Sequence, residues 1–274
     1  MSAGAGLAAD CTRAGAGSTG PRAVALQLQV LSALILREVR AAFGRSRLGY
    51  LWALLVPCAT IAMLVVLFTL IDRQAPIGPS LALFFATGIL TLDHLSRLSH
   101  SLLHSFAASR GLLAYPRVQR LDVVLARAAL IIATYALITG LVAGALIALG
   151  HAPWPAAPLR LLGAFAATAL LGVSLGLCHA VAAARWDAWP QVERIMMRPM
   201  FLLSGVFYLP MMLPAQVQAV LWWNPIVHLV EWARSGWYPA YVSAHLSPAY
   251  PLSVALALLV TGLLAERATR SRPP

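Results

Sequence analysis

His100 and His104 stand four residues apart, a spacing that sets two imidazoles on one helical face and can hold zinc. Neither a carboxylate nor a third histidine accompanies them in the sequence, which weakens a metal reading. Just upstream, Asp93, His94 and Arg97 interrupt the apolar run LALFFATGILTL, and Asp93 and Arg97 at i,i+4 can pair with each other. The nine acidic residues are otherwise scattered, and no carboxylate pair shares a helical face near a histidine, so no nucleophile, base and orienter are brought together. All 20 basic residues are arginine. A phosphate-binding GxxxxGK[ST] loop needs its lysine, so an ATP-driven process would require a motor on another polypeptide. Cys11, Cys58 and Cys178 show neither CxxC spacing nor an even set, which leaves no disulfide or metal pattern. The residues thus point to no catalytic, cofactor-binding or metal site on this chain.

The elements that carry these residues are membrane elements. The chain of 274 residues is 60% hydrophobic and 11% charged, with a mean hydropathy of +0.78. Soluble domains carry about 25% charged residues, so the class is an all-α polytopic membrane protein. The net charge of +11 could signal nucleic acid, but the arginines cluster at the ends of apolar spans, where membrane topology explains them.

Residues 1–23, rich in Ala, Gly, Ser and Thr, read as a disordered cytoplasmic tail. Residues 24–48 read as an interfacial helix, with an apolar stripe at Val24, Leu28, Leu31, Ile35, Val39 and Ala42 opposite Gln29, Arg37 and Arg40. From Tyr50 to Ile71 about 22 uncharged residues suffice to cross roughly 30 Å of hydrocarbon. Arg37, Arg40, Arg45 and Arg47 precede that span and hold its start in the cytoplasm. Pro76, Gly78 and Pro79 break the chain before a second span from Leu81. Spans three and four run from about Asp122 to Leu149 and from Leu159 to Ala184. The small residues Gly163, Ala166, Ala167, Gly172, Ser174 and Gly176 favour close packing of the fourth.

Arg185, Asp187, Glu193, Arg194 and Arg198 read as a solvated cytoplasmic loop. Between Arg198 and Glu231 no residue is charged, yet Pro199, Pro210, Pro214 and Pro225 cut the stretch. A span from about Met200 to Leu209, followed by short re-entrant helices, satisfies both facts. A sixth span from about Tyr250 to Leu264 ends in arginines, and residues 269–274 form a second cytoplasmic tail. Six spans with both termini inside place about sixteen arginines in the cytoplasm, with Arg73, Arg160 and Arg234 outside and Arg127 within span three. Tyr208, Trp222, Trp223, Trp232, Trp237, Tyr238 and Tyr241 crowd the re-entrant region. From the residues alone they form an interfacial aromatic belt or line a path on which sugar rings stack.

Several of these stretches resemble one family. REVRAAFGRSRLGYLWALLVP, RGLLAYPRVQRLDVVLARA, FLLSGVFYLP and NPIVHLVEWARSGWYP, in that order, are similar to the signature segments of capsular polysaccharide export permeases, the membrane subunits of ABC-2 type ABC exporters. The resemblance covers roughly residues 28–268, and residues 49–268 would be the ABC-2 transmembrane domain. It implies a homodimer in the bacterial inner membrane that binds an ABC ATPase carrying ATP and Mg²⁺ and exports a polysaccharide. Arg37, Arg40, Arg45, Arg110, Leu112, Leu113, Tyr115, Pro116 and Arg117 would meet the ATPase, since an apolar knob ringed by arginines suits a protein interface. Asp93, Arg97, Tyr208, Trp222, Trp223, Trp232, Trp237 and Tyr238 would lie on the substrate path. Arg73, Arg160 and Arg234 would suit an anionic glycan. A periplasmic co-polymerase and outer-membrane export proteins would continue the route. TLDHLSRLSH departs from the more aromatic continuation the resemblance leads one to expect. O-antigen, teichoic acid or another lipid-linked glycan is the alternative cargo, with drug or lipid export more remote.

Overall fold

A computed structural model describes residues 21–43, 48–109, 111, 119–239, 241, 243 and 245–270. The described residues are helical, with no strand among them: α1 (Pro21–Phe43), α2 (Leu48–Leu70), α3 (Leu81–Leu103), α4 (Ser105–Ala108), α5 (Arg120–Ala148), α6 (Pro158–Ala183), α7 (Trp189–Leu203), α8 (Ala215–Leu221), α9 (Pro225–Trp237) and α10 (Ala249–Arg270). Local chemistry sets their starts. The Ser80 side chain accepts from the Leu83 amide and caps α3, Pro158 opens α6, and Asn224 caps α9 ahead of Pro225.

Helix α3 is the centre. It packs against α6, α5, α2 and α9, and 67% of its most apolar window is buried, against 17–22% for α2, α5 and α10. Phe84, Phe85, Leu95, Leu98 and Leu102 are fully enclosed. The small residues of α6 do what their spacing implies: Cβ atoms at Gly172 and Gly176 would stand 2.9 and 2.7 Å from the Cβ atoms of Leu98 and Leu102. The backbones therefore approach as only small residues allow. Outside this pair the surface is hydrocarbon, with Met63, Val66 and Leu70 exposed on α2 and Leu137 and Leu141 on α5.

Five described helices are long and apolar enough to cross a membrane: Leu51–Leu70, Leu81–Leu103, Arg120–Ala148, Pro158–Ala183 and Ala249–Thr269. The expected span from Met200 to Leu209 is absent as a through-going helix. Helix α7 occupies Trp189–Leu203, its 15 residues reach only about 22 Å, and its first ten carry Glu193, Arg194 and Arg198. Pro199 lies inside it, and beyond Leu203 the chain turns back. The expected short helices after it are present as α8 and α9, and α9 packs against α6, α3 and α10.

Candidate functional site: buried charges that tie a re-entrant hairpin and a surface helix to the bundle

The hairpin formed by residues 204–238 enters the bundle beside the first turns of α3. Gly88 makes room for it, since a Cβ there would stand 3.1 Å from Val206 Cα. Arg234 then fixes it. Its guanidinium lies 4.1 Å from the centroid of the Phe84 ring, donates to the carbonyls of Val206 and Tyr208 at 3.3 Å each, and pairs with Glu231 at 3.1 Å. Both charged side chains are 0% exposed. Tyr241 donates its hydroxyl to the other oxygen of Glu231. The expectation that Arg234 is an exposed external cation is therefore corrected. A charge at this position survives because four partners replace water.

Burial shifts the neighbouring tyrosines. Tyr238 is pushed up to about 12 by desolvation, opposed by Arg234, and Tyr241 rises through burial and the Glu231 carboxylate. The other aromatics divide. Trp237 and Tyr238 are core residues, Trp232 covers Gly163 of α6, and Trp222 packs against His228 and His245. The Tyr208 hydroxyl donates to the Leu202 carbonyl, while Trp223 is 79% exposed. The aromatic cluster of the sequence is thus spread over several environments.

At the opposite, arginine-rich end, α1 lies along α5. Its enclosed face centres on Leu34 and Glu38, displaced from the apolar stripe read from the sequence. Glu38 accepts from Arg127 Nε at 3.0 Å and lies 3.9 Å from Arg37, and Arg127 also donates to the Ser101 carbonyl at 3.3 Å. Gln27 donates to Asp122, whose second oxygen accepts from the Gln119 amide. Of the residues expected to meet an ATPase, Arg37 is half-buried and Arg40 exposed. Arg45, Arg110, Leu112, Leu113, Tyr115, Pro116 and Arg117 lie outside the described residues.

In the middle of α3, Asp93 and Arg97 do not close the ion pair their spacing allows. His94, 1% exposed, is stacked between Phe165 and Tyr135 with centroids at 4.4 and 5.2 Å. One turn further on, the expectation that no carboxylate accompanies His100 is corrected. Glu193 of α7 reaches its Nδ1 at 3.1 Å, and Glu193 is buried rather than part of a solvated loop. Among the described residues no group of three or more His, Cys, Asp or Glu is placed to hold a metal.

The family whose description is ABC-2 type transporter matches residues 29–238, from within α1 to the end of the hairpin. The chain belongs to this family. Among similar ABC-2 chains, the polysialic acid transport protein KpsM of Escherichia coli is 30% identical over 248 residues, 88% of this chain and 94% of that protein. The capsule polysaccharide export inner-membrane protein CtrC of Neisseria meningitidis serogroup A is 29% identical over 238 residues, 87% of this chain and 90% of that one. The corresponding protein BexB of Haemophilus influenzae is 26% identical over 247 residues, 90% of this chain and 93% of its own length.

Both ion pairs, Glu231–Arg234 and Glu38–Arg127, lie inside the matched residues of this ABC-2 domain. Sequence reading passed over Glu38, Glu231, Phe84 and the partner of Arg127. A usable signal existed for one of them: Glu231 and Arg234 stand at i,i+3 at the end of a long uncharged stretch, where a pair satisfies itself better than two lone charges.

Proposed function

We propose that this chain is the permease subunit of an ATP-driven ABC exporter that moves a capsular, anionic polysaccharide across the inner membrane. The observation that carries the reading is the alignment of some nine-tenths of the chain with permeases named for polysialic acid transport and capsule polysaccharide export. The fold supports it, with several membrane-capable helices and a re-entrant hairpin on one chain.

In this reading the arginine-rich end faces the cytoplasm, both termini lie there, and two copies enclose the passage. The ATP and Mg²⁺ belong to a separate ATPase, which docks on the loop around Leu112, Leu113, Tyr115 and Pro116, ringed by Arg110 and Arg117, and on the surface helix through Arg37, Arg40 and Arg45. Closure of the motor pushes on that loop and on α1. The Glu38–Arg127 pair transmits the push from α1 to α5, because the two helices cannot slide without breaking a charge contact. Asp93, Arg97 and the exposed Trp223 are the pathway residues best placed to meet cargo. A periplasmic co-polymerase and outer-membrane proteins take the polymer onward.

The test is deletion of the gene in its native host, with surface and intracellular glycan assayed separately. Loss at the surface with accumulation inside, reversed by the intact gene, is the expected result. Unchanged glycan in both compartments while the gene is expressed overturns the reading.

A further inference from the structure

A cavity of about 520 Å³ opens between α1, α2, α3 and α5. Its walls are mixed in character. Glu38, Arg97, Ser101 and Arg127 supply charged and polar groups, and Val56 and Ile131 belong to its apolar wall. Arg97 lies six residues before the end of α3 and Arg127 seven residues into α5, so these two arginines sit about 10 Å inside the ends of the spans. Under the proposed topology that lies just beneath the inner-leaflet headgroups, within reach of a headgroup drawn down toward an arginine that extends up to meet it.

The charges do not cancel. Arg127 is occupied by Glu38, which also lies near Arg37, whereas Arg97 is exposed and forms no ion pair among the described residues. Asp93, one turn deeper on the same helix, acts on Arg97 electrostatically from beyond ion-pair distance, and the Tyr135 side chain hydrogen-bonds with Arg97. Of the lining groups, Glu38 against Arg97 and Arg127 leaves one positive charge in excess. A guanidinium at this depth with no carboxylate in contact is poorly served by hydrocarbon and a neutral hydroxyl and well served by a phosphate, and basic pockets between spans on the cytoplasmic side hold anionic headgroups. The volume suits a headgroup and the first part of a chain.

We infer that this cavity binds an anionic amphiphile: Arg97 takes its phosphate, with the Tyr135 hydroxyl lining the same wall, and the apolar wall of α2 and α5 takes the adjoining hydrocarbon. The ligand comes from the membrane phospholipid or from a phospholipid end on the cargo. Only the second source rests on the export function proposed above.

The experiment places benzoylphenylalanine at Ile131, or at the exposed Leu137 as control, in the full chain reconstituted in nanodiscs of phosphatidylcholine and phosphatidylglycerol. Cross-linked lipids are identified by mass spectrometry. The expected result at Ile131 is about fivefold enrichment of phosphatidylglycerol over its share of the bilayer, the scale set by one basic residue at a headgroup. Arg97→Gln abolishes the enrichment, Arg97→Lys keeps part of it, and Leu137 adducts follow bulk composition. Adducts at Ile131 that follow bulk composition, or enrichment that survives Arg97→Gln in monodisperse protein, overturn the inference. Repeating the cross-link in cells with and without the polymer-synthesis genes separates the sources. A glycan-bearing adduct that disappears with synthesis identifies the cargo end, whereas plain phospholipid in both strains upholds the site independently of what is exported.

Discussion

Glu231 and Arg234, one helical turn apart on α9, form a 3.1 Å ion pair in which neither side chain reaches solvent, and the guanidinium rests on the face of Phe84. Removing one partner leaves a buried charge without compensation. Arg234→Ala or Glu231→Gln is expected to destabilise the protein by about 3–5 kcal/mol, while the double change Glu231→Leu with Arg234→Met recovers most of that loss. Thermal unfolding in detergent reads the difference. Arg234→Lys should behave like the alanine variant, because an ammonium cannot serve two carbonyls, a carboxylate and a ring face at once. Single variants as mild as surface substitutions would show that the pair does not hold the hairpin.

The hairpin docks only where α3 has no side chain. A methyl group at Gly88 meets Val206 Cα at 3.1 Å, and a backbone atom cannot swing aside as a flexible side chain can. Gly88→Ala is expected to lower stability by about 1–3 kcal/mol and Gly88→Leu to prevent docking. Gly140 of α5 has open space around it, so Gly140→Ala serves as the matched control and should be neutral or stabilising. Equal effects at the two positions would contradict the close approach.

These two relationships mark where the sequence was readable. Apolar runs bounded by Pro76, Gly78 and Pro79 put the start of α3 at Leu81, and the small residues of α6 announced a close helix contact without naming the partner. Helical periodicity identifies a face but not what covers it. Glu38 and Arg127 are 89 residues apart and His100 and Glu193 93 apart, so their pairing is a property of the packed bundle. The arginine distribution that orients a membrane protein counts charges at span ends, and it cannot tell an interfacial cation from a fully enclosed one such as Arg234. The expected fifth crossing is not among the described helices of spanning length, for a related reason. Residues 200–209 are apolar, but as a helix they reach only about 15 Å, and the turn beyond Leu203 leads them into the hairpin.

Tyr238 gives the hairpin an alkaline limit. Its pKa is raised by burial to about 12 against an ordinary value of 10.0, so the native state holds a proton that the unfolded chain has released. Stability contributed by the neutral phenol is complete below about pH 10 and declines as pH rises toward about 12. Tyr238→Phe removes this part of the pH dependence at little other loss, since the hydroxyl has no hydrogen-bond partner among the described residues. Unfolding midpoints measured across that interval should fall less steeply in the variant than in the parent. Identical slopes would place the dependence elsewhere.

The Glu38–Arg127 contact is expected to fix α1 against α5. Glu38→Ala frees Arg127 and leaves, among the described residues, Gln27–Asp122 as a polar tie between the helices, so protease cleavage within α1 should accelerate several-fold. Exchanging the charges, Glu38→Arg with Arg127→Glu, should slow it again, although Arg37 then faces a like charge. Cleavage unaffected by the single change would mean that apolar contacts at Leu34 suffice to hold the helix.

Coupling to the motor is expected to depend on the apolar knob at residues 112–115. The segment precedes the Gln119–Asp122 cap of α5 in the chain, so in the proposed reading a force applied to it is expected to reach α5 and, through Arg127, α1. An interface of this kind draws its affinity from a few desolvated apolar side chains, with the surrounding arginines aligning the encounter. Leu113→Asp or Tyr115→Asp buries a carboxylate at that point and should weaken association with the ATPase by about tenfold or more, measured by co-purification of the assembled complex. The permease itself should remain folded and monodisperse. A complex that co-purifies undiminished and still exports glycan would remove this loop from the coupling path and leave α1, with Arg37 and Arg40, as the surface the motor acts upon.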